Sequence, residues 1–405
     1  MVATADARPR TMASAWQSPA ATYYLLAASA GILLIVGLAS VLSSSSIDSL
    51  KATGGNPYAL FIIQLAAFTI GLVAMVLGSR LPVVAWKRLA PPILFGSIAL
   101  LMVVLTSGIS SGGNRNWMRV GLVTFQPSEV AKLGLALYLG MVLSTFRKKL
   151  TTWKQILIPG GIMSGVVIGL VLAGRDMGTA TVLAIIVCAA YWIAGLPIRF
   201  FAMTAVVLGA GIVMLIAQGT TRTARIATWL NPEGCDIKGD CQQTTHGIWA
   251  LASGGIWGLG PGMSREKWGG LPVPDSDFIF AIIGEEFGLI GTLLVLFAFG
   301  MMAVAVNRIV HRSRDPFVQI AGGAIGAWIV LQACINIAVV VGLLPVTGLP
   351  LPLVSSGGSS LIASMAAVGV LMAFARSEPG AAEAFAARPS VVRRSLAVIS
   401  RGRRG

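Results

Sequence analysis

Two carboxylates lie two residues apart in the segment L-P-V-P-D-S-D-F-I-F-A-I-I-G-E-E-F-G-L-I-G (271–291), where a long polar and aromatic stretch gives way to an apolar run. Pro274 is a plausible helix start, which places Asp275 and Asp277 in a first helical turn. There a carboxylate offsets the helix dipole, and that role alone would account for both. Helical spacing asks more of Asp277. At about 100° per residue, positions 277, 281, 284, 288 and 291 share one stripe. Beneath Asp277 that stripe is Ala281, Gly284, Gly288 and Gly291, and such small residues let another helix approach closely. A carboxylate held at the top of that contact, where membrane meets water, suits a general base acting on a lipid-linked substrate. Glu285 and Glu286 lie about two turns deeper, where charge is costly, and are expected to be paired.

Three further segments bring polar chemistry to the ends of apolar runs. In G-G-N-R-N-W-M-R-V-G-L-V-T-F-Q-P-S-E-V-A-K (112–132), Arg115 and Arg119 flank Trp117, and Glu129 stands one turn before Lys132. These residues read either as a local ion pair at a span's mouth or as a cationic rim for a diphosphate. In A-G-R-D-M-G-T-A, Arg175 and Asp176 either pair with each other or supply a metal-ligating oxygen. In G-L-L-P-V-T-G-L-P-L-P-L-V-S-S-G-G-S-S (342–360), three prolines and the run from Ser355 and Ser356 through Gly357 and Gly358 interrupt an apolar region. Irregular backbone at membrane depth must be buried in protein or line a cavity, so a re-entrant, site-forming segment is expected. Gln332 and Asn336 are expected to hydrogen-bond between helices.

Other chemistries lack their residues. No G-x-x-x-x-G-K-[ST] is present to hydrolyse a nucleotide, and no H-E-x-x-H. His246 and His311 have no partner at metal-ligand spacing, and a nucleophilic triad is unsupported. Cys235 and Cys241 flank a polar turn without histidine, so a local disulfide fits better than zinc if that turn faces an oxidising compartment. Cys188 and Cys334 fall in apolar runs as packing residues.

The elements that must position these groups are membrane spans. The chain has 405 residues, 56% hydrophobic and 11% charged, too little charge to cover a soluble domain. Blocks such as Tyr23–Leu42 and Tyr58–Leu77 match the thickness of a bilayer. The first is too long for a signal peptide and is read as an uncleaved span. The expectation is an all-α integral membrane protein of about ten transmembrane helices, at 23–43, 58–78, 92–107, 127–146, 155–173, 178–194, 200–218, 279–306, 317–342 and 358–375. The third is short, and the Gly/Ser stretch after Thr106 is a candidate to complete it. The larger share of the basic residues lies on one side, in the loops holding Arg80, Lys87 and Arg88, then Arg147, Lys148, Lys149 and Lys154, then Arg308, Arg312 and Arg314. That side is cytoplasmic by the positive-inside rule, and both termini with it. A cytoplasmic segment 1–22 and a basic tail 377–405 then flank a membrane domain 23–376, with one large extracytoplasmic loop at about 219–278. Within that loop, G-I-W-A-L-A-S-G-G-I-W-G-L-G-P-G (247–262) is too short and glycine-rich to span, and its tryptophans suggest an interfacial position. The net charge of +15 reads as topology and anionic lipid, not nucleic acid.

The blocks N-W-M-R-V-G with F-Q-P-S-E-V-A-K, R-D-M-G-T-A, G-G-I-W-G-L-G-P-G-M-S, K-W-G-G-L-P, D-F-I-F-A-I-I-G-E-E-F-G and G-L-L-P-V-T-G-L-P-L-P-L-V-S-S-G-G-S-S together resemble the SEDS family (shape, elongation, division and sporulation proteins), most closely its division branch, over roughly residues 20–376. The resemblance implies a ten-span peptidoglycan glycosyltransferase in the bacterial cytoplasmic membrane. Such an enzyme polymerises lipid II on the outer face during septal wall synthesis, beside a class B penicillin-binding protein and other divisome membrane proteins. It implies Asp277 as the essential catalytic residue. Arg115, Lys132 and Arg175 are candidates to hold phosphate, and Ser355, Ser356, Gly357 and Gly358 to bind substrate. Asp176 or Asp277 are candidates to ligate a divalent cation, magnesium or manganese, with no nucleotide involved. This chain departs from the family's P-E-A-H-T before the aspartate: it reads Pro272, Val273, Pro274, Asp275 and Ser276, which puts a carboxylate where the family has histidine. An elongation-type polymerase, a lipid II flippase and a scaffold for the penicillin-binding protein are the alternatives.

Overall fold

A computed structural model describes residues 18–111, 114–120, 123–146, 157–199, 201, 229, 236, 239 and 241–386. Among these, eight helices are long and apolar enough to cross a membrane. They are α1 (Ala20–Thr53), α2 (Ala59–Arg80), α3 (Val83–Ser107), α4 (Pro127–Phe146), α6 (Met177–Ala194), α8 (Ile279–Arg312), α9 (Pro316–Val340) and α10 (Gly358–Arg376). A shorter apolar helix, α5 (Ile162–Ala173), continues a π-helical turn at Leu157–Gly161. Two more helices, α7 (Gln242–Gly254) and α11 (Ala381–Ala386), are too short to span. The chain is thus an all-α membrane protein. The expected span at 200–218 lies outside the described residues, Phe201 excepted, and so do Cys235 and the tail beyond Ala386. Cys241 is disulfide-bonded.

Caps and breakers set the helix ends. Asp176 caps α6 by accepting from the Thr179 N–H at 2.9 Å. Asp315 caps α9 by accepting from the Phe317 N–H, with Pro316 at the first helical position, where its missing donor costs nothing. The expected start of the third span at 92 is corrected: α3 begins at Val83 and runs through Pro91 and Pro92. Neighbouring helices in a membrane tolerate such prolines by covering the freed carbonyls. The Gly/Ser stretch does not extend α3. Gly108 ends it, and a small antiparallel sheet follows, β1 (Ile109–Ser111), β2 (Asn114–Val120) and β3 (Val123–Phe125), in that order.

Helix α9 is the central post, packed against α4, α6 and α8, while α10 lies along α2. Small residues permit these approaches: Gly140 of α4 abuts Ala321 of α9, and Gly369 of α10 abuts Met75 of α2. The stripe on α8 performs the expected role for an unexpected partner, the glycine-rich chain of the long loop. Helix α7 and residues 255–262 lie along α8, so that Gly254 rests on the Gly284 carbonyl and Gly258 on the Glu286 carbonyl. At Gly288, α8 leaves helical geometry (φ 66°, ψ −160°). The loop takes over the hydrogen bonds lost there. Leu259 N–H donates to Glu285 O at 2.9 Å and Gly260 N–H to Glu286 O at 3.0 Å, while Leu289 N–H donates to Gly255 O at 3.0 Å.

This contact yields a stability prediction. Gly258 has a φ of +79° and no room for a Cβ, so Gly258→Ala is expected to cost about 3 kcal/mol. A lower thermal unfolding midpoint of the purified protein in detergent would show it. Gly31→Ala, at a site with nothing within 4 Å, should leave the midpoint unchanged.

Candidate active site

Asp277 stands immediately before α8, not in its first turn as the sequence suggested. The helix opens at Ile279 with Phe278 as its N-cap, and residues 274–278 form turns. The cause is an external set of hydrogen-bond donors. In a helix, the carbonyls of residues 275, 276 and 277 would accept from N–H groups four residues on. Here Asp275 O accepts from Ser356 N–H at 2.8 Å, Ser276 O from Ser355 Oγ at 2.5 Å, and Asp277 O from Asn336 Nδ2 at 2.7 Å. Three consecutive carbonyls are thus held by α9 and by the broken segment that precedes α10. The side chains of Asp275 and Asp277 are half-buried.

The broken segment is in turn held from three sides. Ser355 Oγ accepts from the Leu351 N–H at 2.8 Å. Gln64, a buried amide in apolar α2, donates to Ser355 O at 3.3 Å and accepts from Gly357 N–H at 3.2 Å. From α9, Gln332 donates to Pro350 O at 2.8 Å and Asn336 donates to Leu349 O at 2.7 Å. Gln332 does bond a neighbouring helix, through Lys132 of α4, but the expectation is corrected for Asn336: its amide, like the Gln332 Nε2, bonds irregular backbone, whose carbonyls have no helical partner. The hydroxyls of Ser355 and Ser356, expected to meet substrate, are both engaged with the Asp277 turn.

Lys132 is not on a rim. It is 1% exposed, 2.9 Å from Glu129 and 3.3 Å from Gln332 Oε1, with the Trp328 ring centroid 4.9 Å from its nitrogen. A phosphate would have to displace Glu129 to reach it. The same Gln332 oxygen accepts from Trp328 Nε1 at 2.9 Å, so one amide links the buried ion pair to the broken segment.

Asp176 is enclosed as well. Its Oδ2 accepts from Asn116 Nδ2 at 2.7 Å, Thr179 Oγ1 at 2.8 Å and Gln126 Nε2 at 3.1 Å. These donors occupy the positions a cation would need, and the residues present do not fit the metal-ligand role expected of Asp176. Among the described residues no three His, Cys, Asp or Glu side chains form a metal cluster. Arg115 and Arg175 are exposed. They are brought to adjacent loops because Arg115 N–H donates to Gly174 O at 3.0 Å. Gly178, at the head of α6, lies against the Thr347 carbonyl, which joins this pair of cations to the broken segment.

Glu285 and Glu286 are paired, as expected. Glu285 accepts from Ser264 Oγ at 2.5 Å and from Arg265 N–H at 2.8 Å. Glu286 accepts from Ser43 Oγ at 2.5 Å and lies 3.3 Å from Lys267 Nζ. Sequence reasoning missed Gln64, Asn116, Ser43 and Lys267. The one available signal was polarity: Gln64 is the single amide in an otherwise apolar span.

The buried Lys132–Glu129 pair makes a prediction. Lys132→Met leaves a buried carboxylate without its cation and is expected to cost about 3–5 kcal/mol. The double change Glu129→Gln with Lys132→Met should recover part of that loss. Denaturation of the three proteins in one detergent measures it.

Comparison with known proteins supplies the relatives. The family model for cell cycle proteins of the FtsW, RodA and SpoVE type matches residues 23–379. Over 397 residues the chain is 38% identical to a probable peptidoglycan glycosyltransferase FtsW of Mycobacterium tuberculosis, covering 96% of this chain and 75% of that protein. It is 34% identical over 349 residues to the stage V sporulation protein E of Bacillus subtilis, covering 85% of this chain and 94% of that one. Among solved structures, a chain described under the structural coordination of polymerization and crosslinking by a peptidoglycan synthase complex matches with a TM-score of 0.71 at 25% identity, over 88% of this chain and 97% of that one. The rod shape determining protein RodA of Thermus thermophilus matches with a TM-score of 0.63 at 26% identity, again over 88% and 97%.

Proposed function

We infer the function from one premise: the chain belongs to the FtsW, RodA and SpoVE family of cell cycle proteins. It is a peptidoglycan glycosyltransferase that acts in septal wall synthesis, and its relative in Mycobacterium tuberculosis is named a probable peptidoglycan glycosyltransferase FtsW. The finer reading we propose is that it polymerises lipid II, with Asp277 as the base. One observation carries that reading: Asp277 stands on a turn whose three carbonyls are fixed from outside, at the head of α8. The last turn of the same helix holds His311 and Arg312. By the positive-inside rule that end is cytoplasmic, and Asp277 then faces the outer surface. Ten spans with both termini inside complete the proposed topology.

The chemistry follows from the substrate. The donor sugar is bonded to a lipid diphosphate. An acceptor sugar hydroxyl attacks the anomeric carbon from the opposite face, the carbon–oxygen bond to diphosphate breaks, and the electron pair leaves on the diphosphate. The configuration inverts. Asp277 takes the hydroxyl proton as the new bond forms. The leaving group is already a good one and needs charge neutralisation more than a proton. Arg115 and Arg175 are the exposed cations proposed to provide it. A magnesium or manganese ion on the diphosphate would add Lewis-acid neutralisation, and no step here is routed through it. A class B penicillin-binding protein is the proposed partner, since the solved relative stands in a synthase complex of polymerization and crosslinking. Other divisome membrane proteins would complete the assembly.

Asp277→Asn, folded and inserted as the wild type, is expected to lose about 10²–10⁴-fold of its polymerisation rate. The measurement is glycan polymer formed from lipid II in detergent, with the penicillin-binding protein present. Detergent removes the second compartment, so polymer under these conditions distinguishes an enzyme from a flippase. A wild-type rate in the Asn variant would end the proposal.

A further inference from the structure

Asp275 occupies the family's histidine position, and its carboxylate is bonded to the broken segment. Ser356 grips residue 275 twice. Its N–H donates to Asp275 O at 2.8 Å, and its Oγ donates to Asp275 Oδ2 at 2.7 Å. The second bond pins the side chain as well as the backbone, two residues from Asp277. Behind it, Gln64 holds both sides of the same serine pair, at Ser355 O and Gly357 N. The key therefore runs from α2, through the broken segment, to the turn that carries the base.

Holding a carboxylate there is unfavourable. Burial pushes the Asp275 carboxyl above the usual carboxylate range, the Ser356 hydrogen bond opposes this, and the like charge of Asp48 on α1 adds to it. The hydrogen bond from Ser356 Oγ holds the Asp275 side chain in place against that cost, and with it the turn that leads to Asp277. A displacement of about 1 Å at a reacting group can cost on the order of 10² in rate.

We propose that Asp275 is a positioning residue for glycan polymerisation, acting through its hydrogen bond from Ser356 to hold Asp277 in line with the acceptor hydroxyl. The proposal rests on the reading of Asp277 as the base. It assigns Asp275 no contact with substrate and no part in proton transfer.

The test is a double-mutant cycle on the full chain with its penicillin-binding protein, read as kcat and KM for lipid II. Asp275→Ala and Ser356→Ala are each expected to lower kcat about tenfold or more, while KM stays within about twofold. The double variant should be no slower than the slower single, because both remove one bond. Asp275→Asn still offers Ser356 an acceptor and should restore the rate to within about threefold of wild type. Multiplicative losses in the double variant, a KM that rises with the fall in kcat, or an Asn variant as slow as Ala would each overturn the proposal. If Asp275→Ala fails to fold, Ser356→Ala and Asp275→Asn carry the test alone. The two readings fail separately: an active Asp277→Asn removes the base assignment, whereas an inactive one with an additive cycle removes only this inference.

Discussion

Backbone broken inside a membrane has no water to bond, so each freed carbonyl and N–H must find a partner in the protein. Much of this structure is an answer to that constraint at two breaks. At Gly288, α8 opens and the glycine-rich loop closes the gap with its own backbone, which is why glycine stands at the contact positions 254 and 258 while Ile256 and Trp257 are exposed. Between α9 and α10, prolines end the helix pattern, and the amides of Gln64, Gln332 and Asn336 take up the carbonyls. The two breaks are not independent. The segment before α10 is satisfied partly by the turn that leads into α8, and Asn336 spans both by holding Asp277 O and Leu349 O together.

The same scarcity of water governs the buried charges. Lys132 and Glu129 neutralise each other, and the leftover donor of Lys132 reaches Gln332. Glu286 takes Lys267 and Ser43, so the start of α1's last turns, the long loop and α8 meet at one carboxylate. Buried pairs of this kind add little net stability, but losing one member is expensive. Their effect is to fix which elements touch. The loop that ends at Asp277 is therefore anchored at Lys267 and Glu286 before it reaches the turn.

Much of this was legible in the sequence where composition alone decides. Apolar blocks placed α4 at Pro127–Phe146 and the bodies of α6, α9 and α10, and the glycine stripe announced a close contact on α8. What was hidden depends on partners distant in sequence. The third span was expected to begin at 92, yet α3 runs from Val83 through Pro91 and Pro92, because a membrane helix tolerates prolines that local propensity treats as breakers. Pro274 read as a helix start because nothing local says that Ser355, Ser356 and Asn336 will claim the next carbonyls. Lys132 and Asp176 read as open to ligand because exposure is a tertiary property: one is closed by Trp328 and Gln332, the other by Asn116, Gln126 and Thr179. The short sheet after α3 was missed because its strands are only three to seven residues long and lack an alternating pattern.

The displacement of Asp277 out of the helix has a structural consequence. Ahead of Phe278 the chain lacks the regular hydrogen bonds of a helix, at the risk of a loose turn. The three external donors remove that risk, since they fix the carbonyls of residues 275, 276 and 277 without involving the helix. A side chain that must stay aligned needs such a rigid support. Here the support acts on carbonyls and on the neighbouring Asp275, and the Ser/Gly segment before α10 exists in its irregular form because a regular helix could not present those donors.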